Sequence, residues 1–483
     1  MKHNATGWML AMTALHWSCG ADPVAEKTPV VEQRSPPNIL LLVLDTTRAD
    51  ILGVNGGTPK GSPTPNLDQF ASHGLNFQRA YAQSSWTLPS FASLLSGQLP
   101  HAHGVVRDPE DETRFGRLPD ETQTLAERLS AAGYATGAVV NNTYLAPEFG
   151  LNQGFDHYDF VGSSNTEHRS AANTVELGLA WLDEQTKPTF LLLHMMEPHL
   201  TYDPPADLRG TFASTETTVS VPFGPGSNWQ RWRQGAPPPE EQEAEVIRGL
   251  YAEEVLGVDR EFGKLLEGLD ARDLRGDTLI VVTSDHGEEF WDHGAFEHGH
   301  SLMGEVTRVP LIVSGPNLGL GTVDVVVQHV DLTQGLLIAA GLGLQEDLVG
   351  ANLLGLAALS EGVVGDLRTR TPQRDLPSRY ALSESVLYGK QRLSIVSQDH
   401  RLVLDIESGQ ATVWKVNAHG REQELVKLED QSVVGKPLLK ILRSIRGNLD
   451  EGPVSPGPAL PPESEIWTQL ANLGYIEKPQ EGE

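Results

Sequence analysis

Apolar residues recur along the chain in short unbroken runs of strand length, and most of these runs are preceded by a stretch with helical spacing. The first run is Ile39-Leu-Leu-Leu-Val-Leu44. With no polar member, it reads as a strand buried on both faces, as in the interior of a parallel sheet. Leu125-Ala-Glu-Arg-Leu129, the turn Gly133-Tyr134 and the run Ala135-Thr-Gly-Ala-Val-Val140 read as helix, turn and strand. The scheme repeats with Trp181-Leu182 before Thr189-Phe-Leu-Leu-Leu-His194, and with the periodic stretch Val255 to Leu269 before Thr278-Leu-Ile-Val-Val-Thr283. Helices alternating with apolar strands predict an α/β fold with a doubly wound, mixed sheet between helices. In such a sheet the loops after strand C-termini converge on one edge.

The pattern breaks in three places. Between Asp207 and Glu245 the chain is rich in Pro, Gly and Glu and carries Trp229 and Trp232, which predicts a surface insertion or lid. From about Leu376 the runs shorten and alternate, as in Arg392-Leu-Ser-Ile-Val396, Arg401-Leu-Val-Leu-Asp405 and Thr412-Val-Trp-Lys-Val416. They predict a small antiparallel sheet, and a short helix at Glu463 to Leu473 closes the chain. At the other end, Lys2 and the apolar run Trp8 to Leu15 lead to Cys19-Gly20. That order predicts an export signal with Cys19 as the residue a lipid anchor would occupy, and a cytoplasmic N-terminal tail is the alternative. The expected organisation is an export segment at 1–19, a linker at 20–37, a catalytic domain at 38–375 and a C-terminal subdomain at 376–483. The protein is then periplasmic or at the cell surface, touching membrane only through a lipid on Cys19.

Charge narrows the chemistry. Against 36 Lys+Arg stand 64 Asp+Glu, and the net charge of -28 repels polyanions, so nucleic acid is not an expected partner. An acidic chain that handles anionic esters needs a locally positive pocket, which a metal ion and some of the 16 histidines would supply. Cys19 is the one cysteine, so there is neither an intrachain disulfide nor a thiolate zinc cluster.

Polar residues with chemical potential stand at the ends of the apolar runs. Asp45 directly follows the first strand, where α/β enzymes place ligands, although Asp there also caps helices. In the stretch Trp86 to Gly97, Thr87 stands just before a predicted helix, whose N-terminal amides favour an anion, although Thr before a helix is also a common cap. Thr283-Ser284-Asp285-His286-Gly287-Glu288 ends another strand, and His298-Gly299-His300 follows. Carboxylate with imidazole suits one manganese or zinc ion better than calcium, which prefers oxygen ligands throughout. His199, just past the Thr189 strand, is placed to protonate a leaving group or to sit on the surface.

In this order the segments resemble the motifs of the sulfatase family within the alkaline phosphatase superfamily. Pro37 to Asp45, Thr64-Pro65-Asn66-Leu67-Asp68, Thr87 to Gly97, Pro198-His199 with Tyr202 and Pro205, Thr283 to Gly287, Arg308-Val309-Pro310 and Val330-Asp331-Leu332 carry the resemblance. It implies an alkaline-phosphatase-like fold, metal ligands Asp45, Thr87, Asp285 and His286, and catalytic roles for Thr87, His199, His298 and His300. Where such enzymes mature a Cys or Ser to formylglycine, Thr87 stands, with Phe91 in place of the motif's arginine. Threonine cannot give formylglycine. Thr46, His286 and His300 also depart from the usual residues, and Asn141-Asn142 stand where a lysine- and histidine-bearing motif is expected. The altered set resembles the family's threonine-nucleophile branch. It implies a metal-dependent hydrolase of phosphate monoesters or diesters, phosphonates or sulfate esters, acting on a small anionic ester, a sulfated or phosphorylated glycan or a lipid headgroup. A phosphoethanolamine- or phosphoglycerol-type transferase and a catalytically silent binding protein are the alternatives.

Overall fold

A computed structural model describes residues 36–111, 113–162, 168–215, 230–233, 236–357, 379–417, 422–426, 431–447, 452–460, 464 and 466–472. The export segment, Cys19, Trp229 and the 375/376 boundary lie outside them.

Eight strands form the main sheet, in the spatial order Gly321–Val323, Leu75–Phe77, Leu311–Ser314, Thr278–Thr283, Asn38–Leu44, Thr189–Met195, Ala135–Asn141 and His157–Val161. The five from Thr278–Thr283 to His157–Val161 are mutually parallel, and Leu311–Ser314 runs against them. All four apolar runs are therefore strands of one mixed sheet. The central strand shows why its run has no polar member. Ile39, Leu41 and Val43 enter one buried cluster, whereas Leu40, Leu42 and Leu44 enter another on the opposite face. Each such side chain withdrawn from water contributes roughly 2 kcal/mol.

Helices cover both faces. Thr87–Ser96 is buried along its whole length against the first cluster and stops at Gly97, whose φ of 69° suits a left-handed C-cap. Ala171–Asp183 and Glu241–Asp270 cover the second face through Val175, Trp181, Val258, Phe262 and Leu265.

The insertion differs from its sequence reading. The long helix begins at Glu241, inside the segment expected to be a surface loop, because Glu241 and Glu243 favour a helix N-terminus while Val246 and Ile247 are buried. Trp232 is buried too, edge-on to Trp291 and Phe296.

The alternating C-terminal runs pair as an antiparallel sheet of Ala381–Glu384, Arg392–Val396, His400–Asp405, Ala411–Val416 and Glu422–Val426. The helix Gln431–Arg446, which the sequence reading did not anticipate, shares a core with it through Leu438 and Leu442. The terminal helix is Ile466–Asn472. Among the described residues no helix is long and apolar enough to cross a membrane.

Candidate active site

Strand register brings the site together. Val43 pairs with Thr283 on one side and with His194 on the other, so the chain just beyond each strand end opens on the same edge. Asp45 and Asp285 leave from that edge, and neither has exposed surface. Tyr251 holds the turn after Asp45: its hydroxyl donates to Thr46 O and accepts from Arg48 N, both at 2.9 Å. Thr46 itself has φ 53°, a strained conformation for a β-branched residue.

The acidic and imidazole groups converge. One ligand atom each from Asp45, Asp285 and His286 lies within 4.8 Å of the others. His286 Nε2 is 3.3 Å from Asp285 Oδ2, 3.7 Å from Asp45 Oδ1 and 3.4 Å from Thr87 Oγ1. Its Nδ1 faces Gly287 O at 3.0 Å, which fixes the proton there and leaves a lone pair on Nε2. The helix-cap alternatives fail for both Asp45 and Thr87. Trp86 caps the Thr87–Ser96 helix without a side-chain bond, and Arg48 stands at the cap of the short Ala49–Ile51 turn.

Polar accounting tests whether a cation fits. Asp45 Oδ1 and Asp285 Oδ2 are buried without a hydrogen-bond partner, an arrangement that costs several kcal/mol unless positive charge compensates. Burial first, and Asp45 second, push the Asp285 carboxyl up to about 6. Burial also opposes ionisation of Asp45, but the imidazoles of His194, His199 and His286 outweigh it and hold this carboxyl below the usual range. The pair thus divides its charge as two crowded carboxylates do. A divalent ion suits this donor set of two carboxylate oxygens, one imidazole nitrogen and one hydroxyl.

Two residues absent from the sequence-based site belong to it. Asn142 Nδ2 donates to Asp45 Oδ2 at 2.8 Å and lies 3.3 Å from Thr87 Oγ1, tying ligand to hydroxyl. His194 Nε2 lies 3.3 Å from Asp45 Oδ2, and Phe91, at the motif's arginine position, packs edge-on to the His194 ring. The signals were present: a histidine within an otherwise apolar run, and a doubled asparagine at the end of a strand.

The remaining histidines divide. His199 donates from Nδ1 to Leu200 O at 2.8 Å, leaving a buried, unpartnered Nε2, and burial pulls its pKa down. His298 stacks obliquely on His286 with ring centres 4.5 Å apart and lies 5.1 Å from His199. Its Nδ1 faces Glu288 Oε1 at 2.9 Å, and Tyr202 donates to the other oxygen at 2.9 Å. His300 does not join them. Gly299, at φ 78°, reverses the chain, and His300 faces Glu289 Oε2 at 3.0 Å and His298 O at 3.2 Å. Both of its nitrogens face protein oxygens, so the structure sets His300 apart from the His199 and His298 pair with which the sequence groups it.

The mixed, helix-covered sheet with carboxylates and imidazoles gathered beyond its parallel strand ends is an arrangement that proteins of the alkaline phosphatase superfamily share. Within it the chain belongs to the sulfatase family, whose family model, "Sulfatase", matches residues 37–342. It is 24% identical to an N-acetylglucosamine-6-O-sulfatase of Bacteroides thetaiotaomicron over 73% of this chain and 75% of that protein. A protein solved with its substrate D-glucosamine-2-N,6-O-disulfate superposes with TM-score 0.67 at 20% identity, covering 86% of this chain and 99% of that one. The phosphonate monoester hydrolase of Agrobacterium radiobacter gives 0.66 at 18%, covering 87% and 100%.

Proposed function

We propose that this sulfatase-family chain hydrolyses an anionic sulfate or phosphorus ester with Thr87 as nucleophile. One manganese or zinc ion would be held by Asp45, Asp285, His286 and Thr87. The observation that carries this reading is the convergence of two orphaned carboxylate oxygens and the His286 Nε2 lone pair beside the Thr87 hydroxyl. Such an ion, when bound, lowers the pKa of the hydroxyl and neutralises charge on the ester.

The protein's own groups account for the remaining steps. Thr87 Oγ1 passes its proton to an imidazole of the cluster, His199 or His298, and forms a bond to phosphorus or sulfur as the bond to the ester oxygen breaks and that oxygen takes the proton from the imidazole. Asn142 orients the hydroxyl, and the amides at the N-terminus of the Thr87–Ser96 helix favour the developing anion. His199 and His298 face the cluster and are the groups placed to protonate the departing oxygen. Water then attacks the same central atom and releases Thr87 with its proton restored. Because threonine lacks the collapse to an aldehyde open to formylglycine, both displacements take place at phosphorus or sulfur.

A sulfated glycan is the first substrate class to test, since similar proteins are named for sugar sulfates. Phosphonate monoesters come next. Export, supported by the apolar run ending at Cys19, would place the enzyme where such polymers are met. The decisive experiment incubates metal-loaded protein with aryl sulfate, phosphate monoester, phosphate diester and phosphonate probes, then maps any slow covalent adduct by peptide mass. An adduct on Thr87 and loss of turnover with a chelator are expected. Turnover indifferent to chelation, or an adduct elsewhere, overturns the reading, and product transferred to an added alcohol in preference to water would make the protein a transferase.

A further inference from the structure

We propose that the turn Ser385–Tyr388 of the C-terminal sheet is a positioning element that holds the Thr87 helix end and the His298 loop in mutual register. The proposal rests on the catalytic reading of those two residues.

Residues 381–385 run beside the segment that leads into Thr87. Ser383 Oγ donates to Ala82 O at 2.6 Å, and Glu384 N to Gln83 O at 2.8 Å. The seam ends on one carbonyl: Ser385 O accepts from Ser84 Oγ at 2.7 Å and from the Trp86 indole N–H at 3.0 Å. Ser385 has φ 65°, a conformation that L residues avoid and that aims this carbonyl at its two donors.

The same turn then reaches the histidine loop. Leu387 N and Tyr388 N both donate to Gly299 O, at 2.7 and 2.8 Å. From the other side Gly299 N donates to Ser85 O at 2.9 Å. Three segments distant in sequence thus meet at one junction, with Thr87 next to Trp86 and His298 next to Gly299. Trp86 also packs edge-on to Tyr144, whose backbone N–H donates to the Asn142 side chain at 3.0 Å. Asn142 is the residue that bridges Asp45 and Thr87. The junction uses residues 385–388, beyond the segment 37–342 that the family model matches.

Two substitutions address it without removing a catalytic group. Trp86→Phe keeps an aromatic ring and deletes the N–H donor. Gly299→Ala adds a Cβ that would sit 3.0 Å from Leu387 Cβ, at a backbone angle alanine disfavours. Glu384→Gln serves as the comparison, because the Glu384 side chain bonds His101 and Arg446 while its backbone contact to Gln83 survives the substitution. All are measured in the full-length, metal-loaded protein on whichever aryl ester the wild type turns over, with Thr87→Ala alongside.

For Trp86→Phe and Gly299→Ala the expected result is a fall in kcat of roughly 10- to 100-fold, the scale of an ångström-level misplacement. KM should stay within about twofold on the same ground, with metal content unchanged. Glu384→Gln should lower Tm while sparing the kcat of the folded protein. Wild-type kcat in both junction variants, or an equal fall in Glu384→Gln at matched Tm loss, overturns the positioning role. Full activity in Thr87→Ala overturns the catalytic reading and this proposal with it.

Discussion

Two regions bury carboxylates to the same depth and treat them oppositely. Glu384, on the C-terminal sheet, has no exposed surface, and both of its oxygens are used. Oε1 accepts from His101 N at 2.9 Å and pairs with its Nδ1 at 2.6 Å, while Oε2 accepts from Arg446 Nε at 3.0 Å. Asp45 and Asp285, at the edge of the main sheet, are as buried, yet each keeps an oxygen with no partner and they crowd one another. Burial alone does not separate a structural carboxylate from a functional one. Hydrogen-bond accounting separates these two regions: the charges of the Glu384 cluster are saturated by protein groups, whereas the crowded Asp45 and Asp285 pair is left for a ligand to complete.

The largest expected effect lies at the unsaturated edge. Thr87→Ala should lower kcat by about four orders of magnitude or more, the scale of losing a covalent nucleophile, whereas Thr87→Ser should keep measurable turnover. Steady-state kinetics on the best aryl ester checks this. A drop under about tenfold would favour metal-activated water over a threonine ester.

Metal binding should stabilise the same edge and leave the Glu384 cluster untouched. At about a thousand times its Kd, a bound ion adds about 4 kcal/mol to the folded state. Asp285→Asn should abolish that gain and should make the metal-free protein more stable than wild type, since the crowding with Asp45 is relieved. Thermal melts with and without chelator read both. If Asp285→Asn is less stable than wild type without metal, the two carboxylates are not the strained pair described.

Glu384→Gln inverts the expectation, with a loss of about 3 kcal/mol because it leaves a buried arginine without its counter-charge. Denaturant unfolding checks this, and the variant should retain the whole metal-induced gain.

The smallest effect sharpens the comparison at a third carboxylate. Glu254 is buried, and burial first, then neighbouring Glu197, push its pKa up to about 8. Its folded pKa exceeds its unfolded value, so the folded state binds the proton more tightly and stability falls as pH rises from about 4.5 to about 8. His168 adds to the same trend: its pKa is raised, chiefly by Glu197, so its contribution is present below 6.5 and lost above. Glu254→Gln should flatten the decline across that window, read from unfolding curves at several pH values. A decline of wild-type steepness in the variant would show that Glu254 is not its source.

Local pattern reached far along this chain. The runs at Ile39, Ala135, Thr189 and Thr278 announced their strands because a strand buried on both faces admits almost no polar residue, and that constraint acts within a few positions. Asp45, Thr87, Asp285 and His286 drew attention because polar residues at the very ends of such elements stand out, and the family resemblance joined them into one candidate set. What the pattern left unread depends on how distant segments meet. The roles of Asn142 and His194 exist only because three parallel strands share a register, so that strand ends far apart in sequence open on one edge. His300 looked equivalent to His298 until the φ of Gly299 sent the two to different partners. Burial and periodicity are written in neighbouring residues, whereas a charge left unpaired, or a carbonyl aimed at two donors, is decided by groups that only the folded chain brings together.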